Sequence, residues 1–176
     1  MPWLLNAYLV SKNQLHALSP LDGRYENSVK ELSVYFSESA LIKYRLKIEI
    51  EYLIALSREK GIKELPTLTK QEQIRLRKIY LNFNSSVAKN IKSIEKTTNH
   101  DVKAIEYYIQ SKIRKNLHPW IHFALTSEDI NNLSYSLMWQ DGLKKIYLPT
   151  LELVNVKLKK LAKKYKNSSM LSLTHG

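Results

Sequence analysis

The feature that most constrains this chain is a helical apolar period that returns segment after segment with little to interrupt it. Val29, Leu32 and Phe36 begin it from Ser28. From about Ser37 to Lys60, Leu41, Tyr44, Ile48, Tyr52 and Ala55 share one face, and Gly61 supplies the stop. Past Pro66, Thr69 and Glu72 have the spacing of a capping box, and Leu76, Tyr80, Phe83 and Val87 carry the next stripe. Ser85 or Ser86 caps a short helix using Val87, Ile91 and Ile94. Val102, Ile105, Ile109 and Ile113 then repeat until Asn116 to Pro119 ends that helix, and Trp120 to Ala124 packs toward the next start.

Thr126 with Asp129 resembles a second capping box, with Asp in place of the favoured Glu or Gln, and Ile130, Leu133 and Leu137 follow at helical spacing. Pro149 suits the first turn of a renewed helix that runs to about Lys166. These segments predict an all-α fold whose last two long helices lie antiparallel, joined near Tyr147, as the start of a bundle. Two amphipathic helices cannot cover each other's stripes fully, so an exposed apolar strip is expected.

With 4 Gly, 5 Pro and no low-complexity tract among 176 residues, the chain is expected to fold, mostly as helix. It has no cysteine, which excludes a disulfide framework, a thiolate metal site and a Cys nucleophile. The histidines at 16, 100, 118, 122 and 175 show no ligand spacing, so no metal is expected. The net charge of +12 fits nucleic acid, an anionic membrane or a small polyanion. Much of it is a solvated helix face: Lys157, Lys159, Lys160, Lys163, Lys164 and Lys166 oppose Leu151, Val154, Leu158, Leu161 and Tyr165. The apolar opening, Met1 to Val10, is too short to span a bilayer and lacks a basic leader and a cleavage site. Residues 1–14 are read as a disordered or extended extension.

Two polar knots stand out from the stripes. Thr97-Thr98-Asn99-His100-Asp101 is a helix-to-helix junction, and Thr126-Ser127-Glu128-Asp129-Ile130-Asn131-Asn132 opens the next helix. Each puts hydroxyls, amides, a carboxylate or an imidazole where unpaired helix N–H groups favour an anion. Taken alone, either knot reads first as a set of N-caps and only second as a binding site. Upstream, Ser19-Pro20-Leu21-Asp22-Gly23 forms a turn that delivers Arg24 and Tyr25 side by side, a fork and a phenol suited to phosphate or carboxylate.

Taken together, Ser19 to Tyr25, Glu95 to Tyr107, Ile121 to Ser134 and the terminal Thr174-His175-Gly176 resemble the adenylosuccinate lyase family, bacterial type, of the fumarase/aspartase superfamily. The resemblance runs from about Leu15 to Gly176. It implies cleavage of a C–N bond by β-elimination, releasing fumarate from adenylosuccinate or from the succinylated aminoimidazole carboxamide ribotide of purine biosynthesis. It implies no cofactor, a cytoplasmic setting and a homotetramer whose active sites combine segments of three subunits.

Residue by residue, the resemblance puts His175 in the general-acid role, with Thr174 beside it. Asn99, His100 and Asp101 match substrate contacts, Asp101 being expected to fix the tautomer of His100. Thr126 and Ser127 match a carboxylate-binding pair, and Arg24 with Tyr25 a phosphate-binding pair. His118 and His122 are read as packing or surface residues. Residues 15–124 are expected to form an N-terminal helical domain, and 125–176 the start of a truncated central bundle.

Two departures accompany the match. Leu173 stands where the family usually carries Arg, and the chain has no Ser-Ser-x-Met-Pro-x-Lys sequence, the loop that bears the family's proton-abstracting serine. The expectation is an N-terminal fragment, inactive alone. Two other classes compete: a non-catalytic oligomerisation module, and a basic helical nucleic-acid binder supported by charge but by no stacking or basic recognition motif.

Overall fold

The computed structural model describes residues 16–169 and Leu171, and among them there is no strand. The molecule is organised around α3 (Glu38–Leu56), whose first turn is capped by Ser37 accepting the Ala40 N–H at 3.1 Å. Leu46, Ile50, Leu53 and Ile54 of α3 are almost wholly inaccessible. The expected face does not hold: Tyr44 is buried, but Leu41, Ile48 and Tyr52 are only half-buried and Ala55 is exposed. The helix is apolar on most of its circumference and has neighbours on several sides, so no single stripe describes it. Gly61 is not its stop either. The helix ends at Leu56, where the Ser57 N–H reaches the Leu53 carbonyl at 3.0 Å.

Ahead of α3 the expected single segment is broken into α1 (Glu26–Val29), a 3-10 turn (Lys30–Leu32) and α2 (Ser33–Phe36). Helix α4 (Lys70–Leu81) starts at the expected capping box, with Thr69 and Glu72 bonding reciprocally. It packs on α3 through Leu76 and Tyr80. Arg77 forks onto Glu51 of α3 at 2.7 and 2.8 Å, and the Tyr80 hydroxyl donates to the same carboxylate.

Phe83 and Val87 join this core from beyond the end of α4. Asn84, rather than Ser85 or Ser86, caps α5 (Ser85–Thr98), accepting from the N–H groups of Ser86 and Val87. Helix α6 (Asp101–Gln110) buries Val102, Ile105 and Ile109 as expected, but ends six residues before Asn116. A 3-10 turn, Lys115–Trp120, follows.

Helix α7 (Ser127–Gly142) lays Ile130, Ser134, Met138 and Gly142 against α2 and α3. This stripe alternates large and small side chains and keeps only Ile130 of the expected one: Leu133 is exposed and Leu137 half-buried. Gly142 has to be small, since a Cβ there would come within 2.7 Å of the Phe36 ring.

The largest departure comes at Tyr147, where no turn occurs. The backbone continues in right-handed helical geometry through a π turn (Leu143–Tyr147) into α8 (Leu148–Tyr165). The Leu148 N–H donates to the carbonyl of Leu143, five residues back. Proline has no N–H to give and its ring crowds the preceding turn, so a locally wider turn is how a helix can pass through Pro149. The Thr150 hydroxyl adds a bond to the Ile146 carbonyl at 2.7 Å. There is therefore no antiparallel pair. One long rod runs from Ser127, and every residue of its α8 part is exposed. No helix among the described residues is long and apolar enough to cross a membrane.

Candidate functional site

The two knots, about thirty residues apart in sequence, meet on one guanidinium. Arg45 projects from the middle of α3 with its side chain 7% exposed. Its Nη2 lies 2.7 Å from Asp101 Oδ2 of the first knot and 2.7 Å from Asn131 Oδ1 of the second, and its Nε donates to the same amide oxygen at 3.0 Å. Asn131 in turn donates to Glu128 at 3.0 Å. A planar fork with rigid donors is the side chain able to hold both partners at once.

In the first knot, Asn99 ends α5 in the left-handed region (φ 51°), its N–H closing on the Glu95 carbonyl at 2.7 Å. His100 caps α6 with its ring: Nδ1 accepts the Lys103 N–H at 3.2 Å. Asp101 lies beside His100 as expected but makes no hydrogen bond to it, since Nδ1 is 3.7 Å from the carboxylate. Asp101 instead takes the Val102 N–H at 2.8 Å and the ion pair with Arg45. Burial pushes its carboxyl up, but the Arg45 charge and these hydrogen bonds outweigh that and hold it below the usual range. Asn99, His100 and Asp101 line an open cleft of about 560 Å³ with Lys92, Glu95 and Lys96. Lys92 is engaged by Glu38 and Glu95, whereas Lys96 has no ion-pair partner among the described residues.

In the second knot the capping box closes through Asp129, which takes the Thr126 N–H at 2.7 Å and its hydroxyl at 2.8 Å. Those bonds hold the Asp129 carboxyl below its ordinary value. The Thr126 hydroxyl is thus committed, while that of Ser127 has no partner among the described residues.

One turn after Arg45 on α3, Glu49 is 1% exposed, with Oε1 2.6 Å from His122 Nδ1 and Oε2 without a partner among the described residues. Burial raises its carboxyl, partly offset by His122. His122 and Ala124 both adopt positive φ, 59° and 56°, just before the second knot. His122 is therefore the hydrogen-bond partner of a buried acid, a more specific role than simple packing. Arg45 and Glu49 could not be singled out in sequence, where each is one charge inside an apolar run.

Arg24 and Tyr25 are exposed, with the guanidinium 5.6 Å from the Tyr25 ring centre. The turn before them, Ser19 to Asp22, lines an apolar groove with Trp139, Gly142 and Tyr147. That is the far end of α7 from Ser127, some 22 Å away at the helical rise. The structure does not bring this pair to the knots. Leu173, Thr174, His175 and residues 1–14 lie outside the described residues. Among those described, no group of three or more His, Asp or Glu is placed to hold a metal ion.

Residues 23–176 match the protein family described as Lyase, and the chain belongs to that family. Among its relatives, it is 45% identical over 95% of its length to the adenylosuccinate lyase of Dictyostelium discoideum. It is likewise 45% identical over 92% to that of Legionella pneumophila and 41% over 93% to that of Escherichia coli K12. The chain spans only 37 to 38% of the length of these relatives.

Proposed function

We propose that this chain carries part of an adenylosuccinate lyase active site. The observation that carries the reading is that two knots distant in sequence share one buried guanidinium, in a chain 45% identical to proteins of that name. In the reaction, a base removes the proton on carbon beside a carboxylate. The released pair forms the double bond of fumarate as the C–N bond breaks, and the departing nitrogen takes a proton to give AMP. The succinylated carboxamide ribotide reacts in the same way. No cofactor or metal enters these steps.

The residues take distinct parts. Ser127 and the N–H groups that open α7 receive a substrate carboxylate, with Thr126 holding the turn. Asn99 and His100 contact the substrate across the cleft, Asp101 keeps their junction in place, and Lys96 draws the polyanion in. Arg24 and Tyr25 meet the phosphate of a substrate bound at another copy's knots, since their own are a helix length away. His175, with Thr174, protonates the leaving nitrogen, a task suited to an imidazole near neutrality. The base comes from outside these 176 residues, which contain no matching serine-loop sequence.

This reading places residues 15–124 in an N-terminal helical domain and 125–176 at the start of a central bundle, in a cytoplasmic homo-oligomer that binds no nucleic acid. The bare stripe on α8, with Leu158 and Leu161 each more than half exposed, supports assembly. It also favours a second reading, a non-catalytic assembly module. Fumarate release, followed by its ultraviolet absorbance, separates them. The chain is assayed alone and mixed with a full-length lyase whose Thr-His-Gly histidine has been replaced. Activity in the mixture only is the expected result. Co-assembly with silence in both assays leaves the module reading and rejects the catalytic one.

A further inference from the structure

We infer that Arg45 is a positioning residue that decides which nitrogen of His100 carries the proton, by holding the adjacent Asp101 carboxylate off the imidazole. A carboxylate next to a histidine ordinarily competes for a ring N–H, and an Asp101–Nδ1 bond would put the proton on Nδ1. Here Asp101 Oδ1 stays 3.7 Å from Nδ1, and the Lys103 N–H fills that place at 3.2 Å. A neutral imidazole that accepts at Nδ1 bears its proton on Nε2.

What keeps Asp101 away is a two-sided hold: Arg45 Nη2 on Oδ2 at 2.7 Å and the Val102 N–H on Oδ1 at 2.8 Å. Arg45 cannot follow the carboxylate if it turns. Its side chain is 7% exposed, and Nε and Nη2 are also bonded to Asn131, which Glu128 secures. The burial-resisting charge of Arg45 keeps Asp101 ionised, so it stays a competent acceptor throughout the neutral range. The outcome is an Nε2–H donor on a half-exposed ring that lines the cleft beside Lys96, the polarity that suits a carboxylate or phosphate oxygen. Its relevance to a substrate rests on the proposed function; the tautomer itself does not.

The test uses the ¹⁵N-labelled 176-residue chain without substrate, with long-range ¹H–¹⁵N correlations of the imidazoles recorded above the ordinary titration range of histidine. His100 is expected as the Nε2–H form. In Arg45→Gln, with native-like amide dispersion, Asp101 turns to the ring and the Nδ1–H form becomes the majority. Adding Asp101→Ala to that variant restores Nε2–H, which a merely structural loss would not do. Arg45→Lys, which keeps the charge without the fork, is expected to give a mixture and serves if Arg45→Gln does not fold. An unmoved Nε2–H in folded Arg45→Gln or Arg45→Lys, or a switch that survives Asp101→Ala, overturns the inference. A silent fumarate assay with the switch intact would sink the functional reading alone.

Discussion

Helices α3 and α8 are nearly equal in length, 19 and 18 residues, and both are rich in branched apolar side chains, yet they live in opposite environments. α3 is buried on most sides, by α4, α6 and α7. α8 buries none of its residues, and Leu153 is 65% exposed. An apolar period states which face profits from cover. Whether cover arrives depends on which other segments return to it, and around α8 no described segment does. The same contrast governs charge. α8 keeps its lysines in solvent, whereas α3 carries Arg45 and Glu49 inside, tolerable because Asp101, Asn131 and His122 come from other segments to meet them.

The sharpest way to break this contrast is a matched pair of truncations read by chemical denaturation. Leu46→Ala, in the core of α3, is expected to cost about 2–5 kcal/mol through lost burial and a cavity. Leu158→Ala in α8 is expected to stay within about 0.5 kcal/mol, the smallest effect of the set; equal costs would mean that α8 is covered in solution. Between them, Thr69→Ala removes the capping box of α4, one of the walls of α3, at about 1 kcal/mol. A loss confined to α4 amides, with α3 unchanged, would show that this wall is dispensable.

Acid adds a further point of attack. Arg77 hydrogen bonds, then that of Tyr80 and the Arg77 charge, hold the Glu51 carboxyl below its ordinary value against the opposing effect of burial. The stability it contributes is therefore present above the unfolded value of about 4.3 and disappears as pH falls through the lower folded one. Glu51→Gln is expected to cost up to about 1 kcal/mol near neutrality, discounted because the pair is a third exposed. That gap should close in acid, and one that persists unchanged would contradict the assignment.

Much of this was legible from local signals. The Thr69–Glu72 and Thr126–Asp129 boxes, and the junction at Asn99, His100 and Asp101, are written within five residues of themselves, and the structure has them where the sequence puts them. The buried face of α7 was not legible, because Ser134 and Gly142 pack by being small and carry no hydrophobic signature. Nor was the continuity through Pro149, where a proline that suits a helix start sits instead behind a π turn. At the site, the caps marked both knots, and the resemblance paired Asp101 with His100, whereas its shortest ion pair is with Arg45. Arg45 is fifty-six residues away and reveals itself only when α3 is placed between the two knots.

The most direct measurement is native-state hydrogen exchange resolved along the two helices in the 176-residue chain. Amides of α3 are expected to exchange only with global unfolding, while those of α8 exchange through local fraying at much lower cost. Protection of α8 equal to that of α3 at every concentration would contradict the contrast between a covered and an uncovered helix.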